Sequence, residues 1–382
     1  MTLSPKPADF YIKNITLLLL LIIAFFVRII GATYSGMPHY TIDSHNYIWQ
    51  AEILKKGGYD NYFPNGYPLL ILIISMFSPL EIGLLWLNII LSVFTILLIY
   101  RIAENLTGNF YTALLCAALL AFYPTQVNYV HYILTEVPVT FFLALAVYLF
   151  QKEKLAFSGL ALGFAIIIRT TLIFVPFLFF LYLFFNHKRG EGITWFLSFL
   201  IIPLLLMFYG YIVSGYFTLG RNFTHNIYVT INQPYKLSYT KIHGITAYFN
   251  YMISSPVQFL TDRIDSFWNL WGFLPSVADG FRSDFKYRIL VGLRFPLLIL
   301  GIYGYFKSEN KAMPFLLILP AISITIVHTM FFSNTRFTIP AEPFLIILAV
   351  IGAGKFISIK LLYPKMAKRV ILLRKWPLFV KK

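Results

Sequence analysis

Residues 15–30 read ITLLLLLIIAFFVRII, with one hydroxyl and one charge, Arg28. A helix needs about 20 mainly apolar residues to cross a hydrocarbon layer roughly 30 Å thick. This stretch, with Gly31, comes close to that length before polar sequence resumes. No small-residue cleavage signature follows at a sensible distance, so it is expected to be a retained anchor rather than a removed signal peptide.

The rest of the chain repeats the pattern. Of 382 residues, 59% are hydrophobic and 12% are charged, where soluble domains carry about a quarter charged. Too little polar surface is available to cover a water-soluble core, and lipid as solvent removes that problem. The expected fold class is an all-α membrane protein of about ten transmembrane helices, near 15–31, 80–101, 109–126, 133–151, 155–168, 170–186, 193–214, 288–306, 312–331 and 341–359. One polytopic domain (1–359) precedes a basic tail (360–382). Two larger loops, 32–79 and 215–287, fall on one side of the membrane.

Lys and Arg total 31 against 15 acids, a net charge of +16. Eight of the basic residues lie between Lys360 and Lys382. Others fall in short turns: Arg101, Lys152, Lys154, His187 to Arg189, Lys307 and Lys311. This is the positive-inside pattern, with attraction to anionic lipid headgroups, and it argues against nucleic-acid binding. With the N-terminus inside, the two larger loops face the exoplasm of a plasma (inner) membrane. The one cysteine, Cys116, lies within an apolar run, so no disulfide and no thiol metal site are expected.

Within the first loop, residues 44–56 suit an interfacial helix. Tyr47, Ala51 and Leu54 share a stripe, and Gly57 and Gly58 end it. Residues 69–77 are apolar but too short to span. In the second loop, 256–271 reads as a helix. No Walker loop and no dinucleotide glycine fingerprint occurs, so soluble nucleotide donors have no cradle.

Few polar residues lie near the exoplasmic ends of the spans. Asp43 can be a helix N-cap or a carboxylate that takes a proton from a nucleophile. Glu136 can sit in the first turn of a helix capped by Thr135, where the positive helix end favours an acid. Intramembrane acids also tend to face a cavity or a partner. Arg169 and Arg336, against the positive-inside trend, can snorkel to the interface or hold an anion with a planar donor fork. His45, His131 and Glu342 read first as ordinary interface residues. Asp43 and Glu136 could together offer hard oxygen ligands to a divalent cation, although no His/Cys cluster has zinc spacing.

Taken in order, five motifs resemble the polytopic GT-C glycosyltransferases: DSHNY (43–47), FPNGYP (63–68), LTEVPVTFF (134–142), GLALGFAIIIRT (159–170) and RFTIPAEP (336–343). The resemblance is to the branch holding protein O-mannosyltransferases, the lipid A aminoarabinose transferase and lipopolysaccharide galacturonosyltransferases. It spans about residues 10–360 and is strongest over 38–185. It implies transfer of a sugar from a polyprenyl-phosphate donor to an exoplasmic glycan, lipid or protein acceptor. On this resemblance Asp43 matches the first-loop acid proposed as base, and Glu136 the second acidic position. Arg169 and Arg336 match basic positions, here assigned to the donor phosphate, and Tyr47 and His131 complete the expected substrate-binding set. Relatives often carry two adjacent acids in the first loop. Here Ser44 follows Asp43, so metal use and the base assignment stay open.

The leading expectation is an inverting, lipid-phosphate-sugar-dependent glycosyltransferase. The alternatives are a non-catalytic flippase or transporter of lipid-linked sugars, and an assembly partner of an envelope complex. The inverted repeats common in transporters are not evident.

Overall fold

The computed structural model describes residues 7–35, 38–185, 189–221, 244–272, 292–308, 311–331 and 333–356. The basic tail, His187, Lys188, and the second-loop stretches 222–243 and 273–291 lie outside the described residues. Among the described residues the chain is helical, with no β-strand and one isolated bridge between His39 and Tyr132.

The first anchor forms α1 (Pro7–Tyr34). After it come two loop helices, α2 (Ile42–Lys55) and α3 (Gly66–Ser75), and a long helix, α4 (Leu80–Thr107). Next are α5 (Phe110–Ala121), the short α6 (Pro124–Asn128), α7 (Glu136–Gln151), α8 (Leu155–Ile168), α9 (Phe174–Phe185) and α10 (Arg189–Ser214). The second loop carries α11 (Gly244–Ser254) and α12 (Pro256–Trp271). The last three are α13 (Arg294–Lys307), α14 (Ala312–Met330) and α15 (Glu342–Phe356). The helices expected in the first loop and at 256–271 are present, α2 starting two residues earlier than its apolar stripe suggests; α11 was not expected.

Each of the ten expected spans contains a helix, but their lengths differ. Among the described residues, four are long and apolar enough to cross a membrane: Tyr11–Tyr34, Leu80–Thr107, Arg189–Ser214 and Ala312–Met330. A fifth arises if Phe110–Ala121 and Pro124–His131 form one span bent by 52°. Helices α7, α8, α9 and α15 are shorter, because polar insertions at 122–135, 169–171 and 333–342 end them early. In α1, Leu18, Leu19, Ile22, Ile23 and Phe26 face outward, an apolar face suited to lipid.

Arg28 of α1 is fully buried. An arginine in a span is costly unless its donors are met. Its Nε donates to Ser92 Oγ at 2.6 Å and its Nη1 to the carbonyls of Ala24 and Ala121, each at 3.1 Å, while Nη2 is buried with no hydrogen-bond partner. The Ala121 carbonyl belongs to the negative end of α5, so the guanidinium satisfies the helix terminus at the break before α6.

In the interior, α7 packs on α4 and α8, α8 on α10, and α13 on α15. The last crossing is close: a Cβ on Gly304 would lie 1.8 Å from the Leu348 carbonyl oxygen. The irregular chain before α7 is held by α4, whose Asn88 Nδ2 donates to the carbonyls of Val130 (3.1 Å) and Tyr132 (3.0 Å). Non-helical backbone at this depth needs such internal partners.

Candidate active site

Thr41, not Asp43, caps α2. Thr41 Oγ1 accepts from the Ser44 N–H at 3.2 Å, and Ser44 Oγ accepts from the Thr41 N–H at 3.0 Å. Asp43 therefore falls in the first turn with its carboxylate released from capping. Ser44 is fully buried and donates its hydroxyl to the Ile133 carbonyl at 2.9 Å. That bond pins α2 to the chain leading into α7. An ionised acid at position 44 could accept hydrogen bonds but not donate this one, which gives a physical reason for serine there.

Glu136 opens α7, as the sequence suggests, but Thr135 makes no side-chain cap bond. Its hydroxyl accepts instead from Arg169 Nη1 at 3.2 Å. Arg169 ends α8 in extended backbone, φ −149°. Its Nη1 also donates to Glu136 Oε1 at 2.9 Å, and its Nε to Thr171 Oγ1 at 3.2 Å.

Arg336 lies in a 3₁₀ turn, Thr335–Thr338, whose start is fixed by Asn334 Oδ1 accepting from the Arg336 N–H at 3.0 Å. Its Nη2 pairs with Asp43 Oδ2, and its Nε is 3.7 Å from Glu136 Oε1. Burial disfavours the charge on Arg336, yet Glu136 and Asp43 outweigh that cost and hold the guanidinium above its ordinary range.

The structure thus brings Asp43, Glu136, Arg169 and Arg336 into one cluster of two carboxylates and two guanidiniums. It is graded in depth. Side-chain exposure is 25% for Asp43 and 19% for Arg336, but 9% for Arg169 and 2% for Glu136. The Asp43–Arg336 pair is thus the more open of the two, and the Arg169–Glu136 pair the more enclosed. Glu136 Oε2 is buried with no hydrogen-bond partner, an acceptor with unused capacity.

Tyr47 is buried beside this cluster, its ring 5.0 Å from Phe63 and 5.1 Å from Tyr67. Burial raises its phenol well above the usual range. Asp43 and Glu136 push it further, and Arg336 and Arg169 pull it back, so it stays a neutral donor. His131 is buried against the rings of Tyr132 (4.4 Å) and His39 (6.1 Å), and its carbonyl accepts from the His39 N–H at 3.0 Å. Those contacts clamp the first loop to the chain before α7. The His45 ring stacks on Tyr40.

Glu342 is not an interface residue. It is fully buried at the start of α15 and accepts from Thr125 Oγ1 at 2.5 Å and Gln126 Nε2 at 2.9 Å. Gln126 Nε2 also reaches the Ile339 carbonyl at 2.9 Å, and Arg294 Nη1 donates to the Thr335 carbonyl. This second polar cluster braces both ends of the turn that carries Arg336. Sequence reasoning read Thr135 only as a helix cap and gave Thr171, Arg294 and Phe337 no role. A hint lay in Phe337, an aromatic next to an arginine in a short polar turn.

A divalent cation between Asp43 and Glu136 does not fit this arrangement. Arg336 already lies between the two carboxylates, and among the described residues no group of three or more His, Cys, Asp or Glu side chains could hold a metal ion.

A search of curated proteins found no match. Residues 64–229, less than half of the chain, match the family model described as dolichyl-phosphate-mannose-protein mannosyltransferase. The matched stretch contains Glu136 and Arg169, while Asp43 and Arg336 reach the cluster from outside it. The match supports a likeness to the GT-C superfamily.

Proposed function

We propose that this protein is an inverting glycosyltransferase that moves a sugar from a polyprenyl-phosphate carrier to a hydroxyl of a glycan, lipid or protein acceptor on the exoplasmic face of the inner membrane. The observation that carries the reading is Arg336, shared between Asp43 and Glu136 with Arg169 beside it.

In the resting cluster the charges cancel: two guanidiniums against two carboxylates. A donor phosphodiester supplies a third anion and competes with Asp43 for Arg336. When Arg336 turns to the phosphate, the Asp43 carboxylate is released toward the open side. Asp43 then accepts the acceptor hydroxyl proton as that oxygen bonds to the anomeric carbon. The bond from that carbon to the phosphate oxygen breaks, and polyprenyl phosphate leaves with the electron pair. Attack from the face opposite the leaving group inverts the anomeric centre. Arg336 and Arg169 stabilise the charge that develops on the phosphate in a site of low dielectric. Glu136 fixes both arginines through Oε1 and offers Oε2 to a sugar hydroxyl.

The test is transfer by purified protein from a defined polyprenyl-phosphate sugar, with wild type compared with Asp43→Asn. A positioned base is worth typically 10²–10⁴-fold, so Asp43→Asn is expected to lose on the order of a hundredfold or more in kcat. Full turnover in that variant removes Asp43 from the base role. Movement of labelled lipid-sugar across the membrane with no transfer product favours a flippase instead.

A further inference from the structure

Phe337 holds a position that the proposed chemistry has not yet used. It follows Arg336 in the 3₁₀ turn and is 7% exposed. The guanidinium carbon of Arg169 lies 4.7 Å from its ring centroid, and that of Arg336 lies 5.4 Å away. Both are inside the roughly 6 Å range in which a cation is attracted to the negative face of an aromatic ring. On the ring also stacks His328 of α14, with centroids 4.0 Å apart and planes 23° from parallel. His328 is buried as well, so the ring is wedged in one orientation.

Two arginines that approach the same carboxylate oxygen repel each other. Glu136 Oε1 offsets part of that, at 2.9 Å from Arg169 and 3.7 Å from Arg336. The ring quadrupole offsets a further part without adding a negative formal charge that would compete with a phosphate. A guanidinium held against a ring also keeps its N–H donors at its edge, where a phosphate can meet several in the plane. An aliphatic side chain of similar size would fill the same volume and do neither.

We infer that Phe337 is a positioning residue: its ring face assembles Arg169 and Arg336 into one preorganised receptor for the phosphate group of a polyprenyl lipid. The inference rests on the proposed donor class and deepens it. Residues Arg169 and Arg336 come from turns 167 positions apart in sequence (169 to 336), and Phe337, like Glu136, is a side chain common to both.

The probe is polyprenyl phosphate, with the uncharged polyprenol of the same chain length as reference. Affinities are measured on the full chain in lipid nanodiscs, and the readout is the ratio of the two. Phe337→Leu is expected to reduce the phosphate preference on the order of tenfold, the scale of a desolvated cation–π contact. Phe337→Tyr keeps most of it, and polyprenol binding changes little in either. Fluorinated phenylalanines at position 337 keep the shape while draining the ring face, so they report even where the Leu variant fails to fold. The phosphate preference should fall stepwise with fluorine number. An unchanged ratio across the fluorinated series, or equal behaviour of Phe337→Leu and Phe337→Tyr, overturns the role of Phe337. Absence of any phosphate preference in the wild type instead overturns the donor assignment, a separate result.

Discussion

Arg336 touches two acids that differ in what surrounds them. The Asp43 side chain is 25% exposed and so within reach of solvent, whereas that of Glu136 is 2% exposed. An ion pair with the partly exposed Asp43 contributes less to stability than a buried one. The Arg169–Glu136 pair is different. Removing one member of a buried pair leaves an uncompensated charge, at a cost of about 3–5 kcal/mol. Arg169→Ala is therefore expected to lower the thermal midpoint of the purified protein sharply. Adding Glu136→Ala to it should restore much of the stability, with no return of transfer activity. A double-mutant cycle that gives no coupling between the two would mean that Glu136 finds its compensation elsewhere.

At the scale of elements, the site depends on where two short loop helices begin. Helix α2 starts with the reciprocal Thr41–Ser44 bonds, and Asp43 lies inside that box. Loss of a cap typically costs about 1 kcal/mol. Thr41→Ala should thus destabilise only modestly, yet lower kcat by fraying the turn that aims Asp43, and Thr41→Ser should recover both. A Thr41→Ala enzyme with normal turnover would separate the cap from the chemistry. Helix α3 begins at Gly66, where an added Cβ would lie 2.4 Å from the Ile167 carbonyl oxygen. Backbone cannot yield as a flexible side chain can. Gly66→Ala should push α3 away from the end of α8, two residues before Arg169, and reduce both stability and activity.

At the scale of the whole molecule, orientation is the testable quantity. The four charged residues come from the first loop, the start of α7, the end of α8 and the turn before α15, and all meet at one end of the helical bundle. The proposed function requires that end to face outward. The chain has one cysteine, Cys116, and it is buried, so introduced thiols can be read against a quiet background. Ile42→Cys, at an exposed position beside Asp43, should react with a membrane-impermeant maleimide on intact cells. Lys152→Cys, in the turn between α7 and α8, should react only after permeabilisation. The reverse pattern would invert the topology and remove the exoplasmic reading.

Much of this architecture was legible from hydropathy alone. A run such as residues 15–30 has no stable home outside lipid or a large core, so the helical membrane class followed from composition and run length. The polar insertions between the apolar runs single out Asp43, Glu136, Arg169 and Arg336 in the sequence itself. What the sequence left open depended on neighbours distant along the chain. Asp43 as cap or as free carboxylate was decided by Thr41 and Ser44, and by Arg336 arriving 293 residues later. Glu342 looked like an interface acid until the fold set it against Thr125 and Gln126. The number of crossing helices, too, hung on where polar insertions broke the spans. Periodicity and run length are local properties that a sequence states directly. Ion pairs, ring stacking and the burial of a charge arise only when segments far apart are folded against one another, and those are the features from which the site is built.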